Sequence, residues 1–302
     1  MDRPSSRKPG TAVGFAALAL AGALWGTPFA LAKWIQADLS VGHMILLRFA
    51  FASLALVPVV LYERRTVSFH VQRRDVPVFA IAALLGVPVQ FIIQFEGLAR
   101  TTVSHASLMI GMLPVILAVG AVIFAKEHLD RAGVLALAAS SIGAALVAVG
   151  GRGSTPTDAS ILGDSLVLIS LFGGAAWVLL SQRLMKRGYS PIVTTSIVII
   201  SGTMMLAVWM LFTEGLPDLM HLSPRVWISV ALMGVTATAL TTLLWNWGLA
   251  RVAASQAGVF VNLEPVVGTI LGIALFHDHI AVLGLLGGSL IVASAIAVAR
   301  RG

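Results

Sequence analysis

The chain contains no cysteine. That removes disulfides, thiolate zinc sites, iron–sulfur clusters and thiol nucleophiles together. Charge is nearly as scarce. Only 11% of the residues are charged, against about 25% in a soluble domain. With 58% hydrophobic residues and a mean hydropathy of +0.95, a water-soluble globular fold is excluded. So is disorder, whose signature is low hydrophobicity. No P-loop, no G-x-S-x-G and no H-E-x-x-H occurs, so no ATP-driven or enzymatic chemistry is expected. His277 and His279, with His128, do not make a metal site of the usual spacing. No metal and no cofactor is expected.

Long apolar runs dominate what is there. A helix crossing the hydrocarbon core needs roughly 20 apolar residues. Ten segments satisfy this: 12–33, 41–62, 76–98, 103–124, 132–149, 161–182, 192–213, 226–247, 253–276 and 280–299. The runs are twice the length of a barrel strand and do not alternate, which excludes a β-barrel. The first run is too long for a signal-peptide core and is read as span 1. The expected fold is an all-α membrane protein with ten transmembrane helices. The longest connection, 150–160, is rich in Gly, Ser, Thr and Pro and reads as a linker.

Lys and Arg set the orientation. With the N-terminus placed inside, fifteen basic residues fall in inner segments. Only Lys33, Arg100, Arg152 and Arg225 fall outside, and Arg48 lies within a span. Cytoplasmic loops carry such an excess. Both termini are therefore expected in the cytoplasm, in a multi-pass protein of a bacterial inner membrane. The net charge of +7 reflects orientation and anionic lipid, and no nucleic-acid partner is expected.

The two halves resemble each other. Gly97-Leu98-Ala99-Arg100 recurs as Gly248-Leu249-Ala250-Arg251, 151 residues later. At that offset Ser104 meets Ser255, Pro114 meets Pro265 and His128 meets His279, and eleven of 39 positions from Gly97 to Leu135 are identical. Trp25 and Trp177 correspond at an offset of 152. The expected units are residues 1–150 and 151–302, five spans each. Since five is odd, the second unit must enter the membrane inverted. Inverted repeats are a common basis of secondary transporters, with the binding site near the midplane between repeats.

These residues carry a family resemblance. The run Leu24-Trp25-Gly26-Thr27-Pro28-Phe29, the triplet Leu47-Arg48-Phe49, Leu113-Pro114-Val115 with Lys126-Glu127, and Leu263-Glu264-Pro265-Val266 resemble the paired EamA modules of the drug/metabolite transporter superfamily, over almost the whole chain. One departure is His277-Asp278-His279, where the family has Gly-Glu. The resemblance implies alternating access, and its amino-acid exporter branch implies outward movement of amino acids, aromatic and apolar ones included. A drug or nucleotide-sugar carrier is the alternative of the same class. A membrane-embedded assembly subunit that moves nothing is the alternative of another class. A nucleotide cargo would want several basic residues in the spans, and only Arg48 and His105 are there. One chain already holds both halves, which is compatible with a monomer.

Ionisable and amide groups within spans are costly and thus candidates for function. Glu264 either meets a substrate ammonium, carries a coupling proton, or locks a helix contact. Gln90 and Gln94 share a helix face and either bond a substrate or bond a neighbouring helix. His105, Met109 and Met112 form one stripe, matched by Gln256, Phe260 and Leu263. Soft methionines suit a permissive pocket. Asn262 fits either this stripe or the neighbouring small-residue packing stripe. Trp25, Trp177 and Trp245 offer an aromatic wall suited to an ammonium group. Arg48 either binds a carboxylate or pairs structurally. Pro114 and Pro265, placed alike in spans 4 and 9, are the candidate hinges. The partners expected are a small-molecule substrate and the lipid bilayer.

Overall fold

The computed structural model describes residues 10–35, 38–66, 70–98, 100, 109–128, 130–150, 161–276 and 282–301. Among them the structure is all helical. The helices are α1 (Thr11–Trp25), α2 (Thr27–Ile35), α3 (Val41–Thr66), α4 (Val76–Leu98), α5 (Leu113–Ala125), α6 (Arg131–Gly150), α7 (Ile161–Lys186), α8 (Pro191–Thr213), α9 (Pro224–Leu249), α10 (Ala254–Ala257), α11 (Leu263–Phe276) and α12 (Val282–Arg301). Six of these, α3, α4, α7, α8, α9 and α12, are each long and apolar enough to cross a membrane.

Local chemistry sets the ends. Ser190 caps α8, its hydroxyl accepting from the Val193 N–H at 3.1 Å, and Pro191 fills the first helical position. Proline is at home there because that N–H has no helical partner anyway. Gly215 follows α8 with φ 79°, and its N–H reaches the Met210 carbonyl, a left-handed stop that glycine takes without steric cost.

The expected runs 12–33 and 253–276 are not single helices. Gly26 breaks the first into α1 and α2. The second is α10, a 3-10 turn over Gly258–Asn262, and α11. Of the run 103–124, residues 101–108 lie outside the described residues, and Gly111 and Met112 form a turn before α5. Inside α4, Leu85–Val89 is π-helical and contains Pro88. Inside α9, Val235–Leu240 is π-helical too. A π segment lets a proline stay in a span, since the widened turn relieves its clash with the preceding carbonyl. In α9 threonines take up the displaced carbonyls: Thr238 donates to Met233 O at 3.0 Å and Thr241 to Thr236 O at 2.7 Å.

The packing between halves maps onto itself when the halves are exchanged. α1 packs on α9 as α7 packs on α4; α1 packs on α11 as α7 packs on α5; and α3 packs on α9 as α8 packs on α4. The pairs α3 with α8 and α6 with α12 are their own counterparts. α3 and α8 run antiparallel. Gly42, at the start of α3, abuts Glu214 beyond the end of α8, and midway Ser53 bonds Thr203 at 2.8 Å. Glycines set the closest approaches. A methyl on Gly22 would lie 2.0 Å from the Phe260 carbonyl oxygen, and one on Gly248 would lie 2.8 Å from the Gly14 carbonyl oxygen. Small residues admit such contacts between helices in lipid, where packing drives association.

Candidate functional site

The helix interruptions gather the polar residues of the spans. Gln90 is the first residue after the π segment of α4. Its side chain lies against Gly173 and Gly174 of α7, and its Oε1 is buried with no hydrogen-bond partner among the described residues. Gln94, one turn on, is half-buried. Glu264 lies in the first turn of α11, half-buried, where the positive end of the helix dipole favours an acid. Its backbone touches the break in span 1, since a methyl on Gly26 would meet the Glu264 carbonyl oxygen at 2.5 Å.

Arg48 is the buried cation of this region, 6% exposed. Its Nε donates to Thr238 Oγ1 at 2.6 Å and its Nη2 to the Ala237 carbonyl at 3.3 Å, both in the π segment of α9. The Phe49 and Phe91 ring centroids lie 5.8 and 5.5 Å from the guanidinium. The sequence offered Arg48 as a carboxylate binder or a structural partner. The threonine and the freed carbonyl that hold it had no signal in the sequence, because the π segment creates them.

The tryptophans divide. Trp25 and Trp245 come together, ring centroids 4.9 Å apart. Trp245 is fully buried, and its Nε1 has no hydrogen-bond partner among the described residues. Trp177 packs on Gly86 within the π segment of α4. Phe260 is buried, tilted against Phe15 at 5.7 Å. Asn262 is buried and donates to Ser140 of α6 at 2.9 Å. Met109 is half-buried and Met112 is 41% exposed. His105 lies outside the described residues.

The two candidate hinges are not mid-helix kinks. Pro114 is in the first turn of α5, directly after the turn at Gly111 and Met112, and Pro265 is the third residue of α11, directly after the 3-10 turn. Both begin a new helix after a break. The broken regions touch, with the Gly258 backbone against Pro114. An open groove of about 540 Å³ lies elsewhere, lined by Leu31, Arg225, Ile228, Ser229 and Leu232. It contains none of the candidates.

Each end of the bundle is tied by a polar cluster. At one end Asp75, 1% exposed, accepts from Arg187 Nη1 and, at 2.9 Å, from the Tyr189 hydroxyl. That hydroxyl also accepts from the Gln72 N–H at 3.0 Å. Burial pushes the Tyr189 phenol above its ordinary range, and Asp75 adds to this. Nearby, Lys126 turns left-handed with φ 54° and presents Glu127 to the start of α10. The Glu127 carboxylate accepts from the Ala254 and Ser255 N–H groups at 3.2 and 3.0 Å and from Gln182 at 3.2 Å. Burial opposes its ionisation most, but these donors together win and hold it below the usual carboxylate range. At the other end Ser40 donates to Glu214 at 2.6 Å, and the His43 ring bonds the Gly215 carbonyl at 3.3 Å.

Comparison with known proteins agrees with this architecture. A family model described as the EamA-like transporter family matches residues 12–149 and again 161–300. The chain is 28% identical over 272 residues to an uncharacterized transporter, YyaM, of Bacillus subtilis, covering 88% of this chain and 87% of that protein. It is 21% identical to a biotin transporter of Escherichia coli, covering 92% and 90%. It is 24% identical to a probable terminal-alkyne amino-acid exporter of Streptantibioticus cattleyicolor, covering 76% and 74%. One solved crystal structure matches with a TM-score of 0.79 at 20% identity, over 98% of this chain and all of that one. At that identity the likeness concerns the fold.

Proposed function

The chain belongs to the EamA-like transporter family, and we propose that it exports small metabolites, amino acids first among them, by alternating access between two inverted five-span repeats. The observation that carries this reading is the duplicated set of helix interruptions. The π segments of α4 and α9, and the breaks before Pro114 and Pro265, occur at repeat-related places in both halves. Interrupted helices in corresponding positions point to a transporter's binding site, because irregular backbone at membrane depth is tolerated where it lines a cavity. The inversion is supported by α3 and α8, which correspond in the repeat and run antiparallel.

The proposed site holds Trp25, Gln90, Gln94, Met112, Trp245 and Glu264 around these interruptions, with Met109 on the approach. Trp177, Phe260 and Asn262 brace it. Pro114 and Pro265 act as hinges because each starts a helix directly after a break. The excess of Lys and Arg in the loops supports both termini, with the Asp75 and Glu127 clusters, on the cytoplasmic side, and the Glu214 cluster outside. The amino-acid exporter relative supports this cargo. The biotin transporter relative supports a second, a carboxylate without an ammonium group.

The test is counterflow in proteoliposomes loaded with a panel of amino acids, biotin, a nucleotide sugar and a cationic drug. Saturable exchange of labelled aromatic or apolar amino acids is expected. Exchange of only the drug or the nucleotide sugar overturns the cargo assignment. No flux of any solute, with a protein partner co-purifying, overturns transport itself.

A further inference from the structure

We propose that the π segment of α9 is the convertible joint of the transport cycle, with Arg48 as the positioning residue that sets it, while the π segment of α4 is fixed by Pro88. This deepens the transport reading and rests on it.

The two segments share one backbone pattern. In α4 the Gln90 N–H skips the Gly86 carbonyl, four residues back, and bonds Leu85 O and Val87 O. In α9 the Thr241 N–H skips the Ala237 carbonyl and bonds Thr236 O and Thr238 O. Gln90 and Thr241 are repeat mates, 151 residues apart. What holds the two segments differs. Pro88 lies inside the α4 segment, and in an ordinary turn its ring would clash with the carbonyl four residues back. Its mate in α9 is Ala239, which is at home in either register. There the skipped Ala237 carbonyl accepts from Arg48 Nη2 at 3.3 Å, and Arg48 Nε donates to Thr238 Oγ1 at 2.6 Å. Thr238 and Thr241 donate to carbonyls five residues back. The α4 segment is therefore imposed by a ring, and the α9 segment is held by side-chain hydrogen bonds that can exchange. Arg48 belongs to the other half of the chain, and its own counterparts, Ile199 and Ile200, have no side-chain donor to offer Gly86.

Conversion reaches the proposed site directly. π turns are rare and occur as single bulges inside α-helices. When Arg48 lets go, the Thr241 N–H returns to Ala237 O, and the helix beyond turns by about 100°, the step of one α-helical residue. That turn carries Trp245 off Trp25, now 4.9 Å away between ring centroids, and Asn246 off the Thr195 hydroxyl it meets at 2.8 Å.

The experiment transplants the α4 device into α9. Ala239→Pro should remain monodisperse in detergent, with a wild-type melting temperature. It should still be stabilised by whichever solute the wild type exchanges among the amino acids, biotin, nucleotide sugar and cationic drug, yet lose counterflow of that solute. Arg48→Gln should lower the melting temperature. Adding Ala239→Pro to it should restore that temperature without restoring counterflow, whereas a guanidinium that only fills space gains nothing from the proline. Should Ala239→Pro fail to fold, hydrogen exchange of the wild-type protein in nanodiscs decides. The backbone amides of 235–242 should then exchange faster than those of 85–91, since a segment that interconverts opens more often. A proline variant that transports like wild type overturns the inference and leaves the transport reading standing. So does an Arg48→Gln melting loss unchanged by the proline, or two segments that exchange hydrogen alike. A wild type that moves no solute of the panel overturns both.

Discussion

The two halves of the chain share most of their backbone irregularities and differ in their charges. α4 and α9 both carry a π segment, and α5 and α11 both begin at a break closed by a proline. Arg48 and Glu264, by contrast, have Ile199 or Ile200 and Leu113 as counterparts. Span 1 is broken at Gly26, whereas α7 runs unbroken through Trp177. Features needed to bend and re-pair helices in lipid appear twice because both halves must do it. In the proposed transport reading, features that recognise a cargo need appear only once, since a single site would serve both halves. The end clusters follow the same contrast. The same two connections, exchanged between halves, build both, yet Asp75 is buried and Glu214 is about a third exposed.

The strongest way to break the comparison uses the paired glycines Gly22 and Gly174. Gly22→Ala drives a methyl into the Phe260 backbone, and a cost of about 3 kcal/mol or more is expected, read as loss of monodisperse protein in detergent. Gly174→Ala meets only the movable end of Gln90, at 2.9 Å. Its stability should stay within about 0.5 kcal/mol of wild type, while transport falls because Gln90 is displaced. Equal melting losses in the two variants would refute the assignment.

Next come the end clusters. Asp75→Asn leaves Arg187 without its carboxylate partner and should cost about 2 kcal/mol or more. Glu214→Gln, at the more exposed end, should cost below about 1 kcal/mol. Denaturation of the two variants in one detergent compares them, and the reverse order would count against a buried latch. Within the proposed site, Glu264→Gln should lower exchange on the order of tenfold, and Leu113→Met, its repeat mate, less than about twofold. Initial rates at saturating substrate decide.

The smallest expected effect concerns Glu127. Its folded carboxyl titrates below the ordinary value of 4.5, so its contribution is fully present above that value and lost as pH falls through the folded one. Melting temperatures measured from pH 7 downward should be flat and then fall, and Glu127→Gln should flatten the acid limb. An unchanged acid limb would show that the cap on α10 contributes nothing measurable.

Much of this was legible in the sequence. Low charge and long apolar runs required a helical membrane protein, and the Gly-Leu-Ala-Arg repeat and the paired prolines announced two similar halves. Trp25 and Trp245 were legible as candidates, though not as partners. The π segments were not legible. Pro88 hints at one, but Val235–Leu240 reads as an ordinary apolar stretch. Asn262 bonding Ser140, and Phe260 packing on Phe15, were equally hidden, because a residue's face on a broken helix depends on where the break falls.

By itself, then, the sequence determined the solvent, the helical class and the duplication, since hydrophobic length and periodicity act locally along the chain. Only the tertiary structure decided which breaks converge and which carbonyls are freed to hold Arg48. Those outcomes depend on distances between helices far apart in the chain, and no local pattern encodes them.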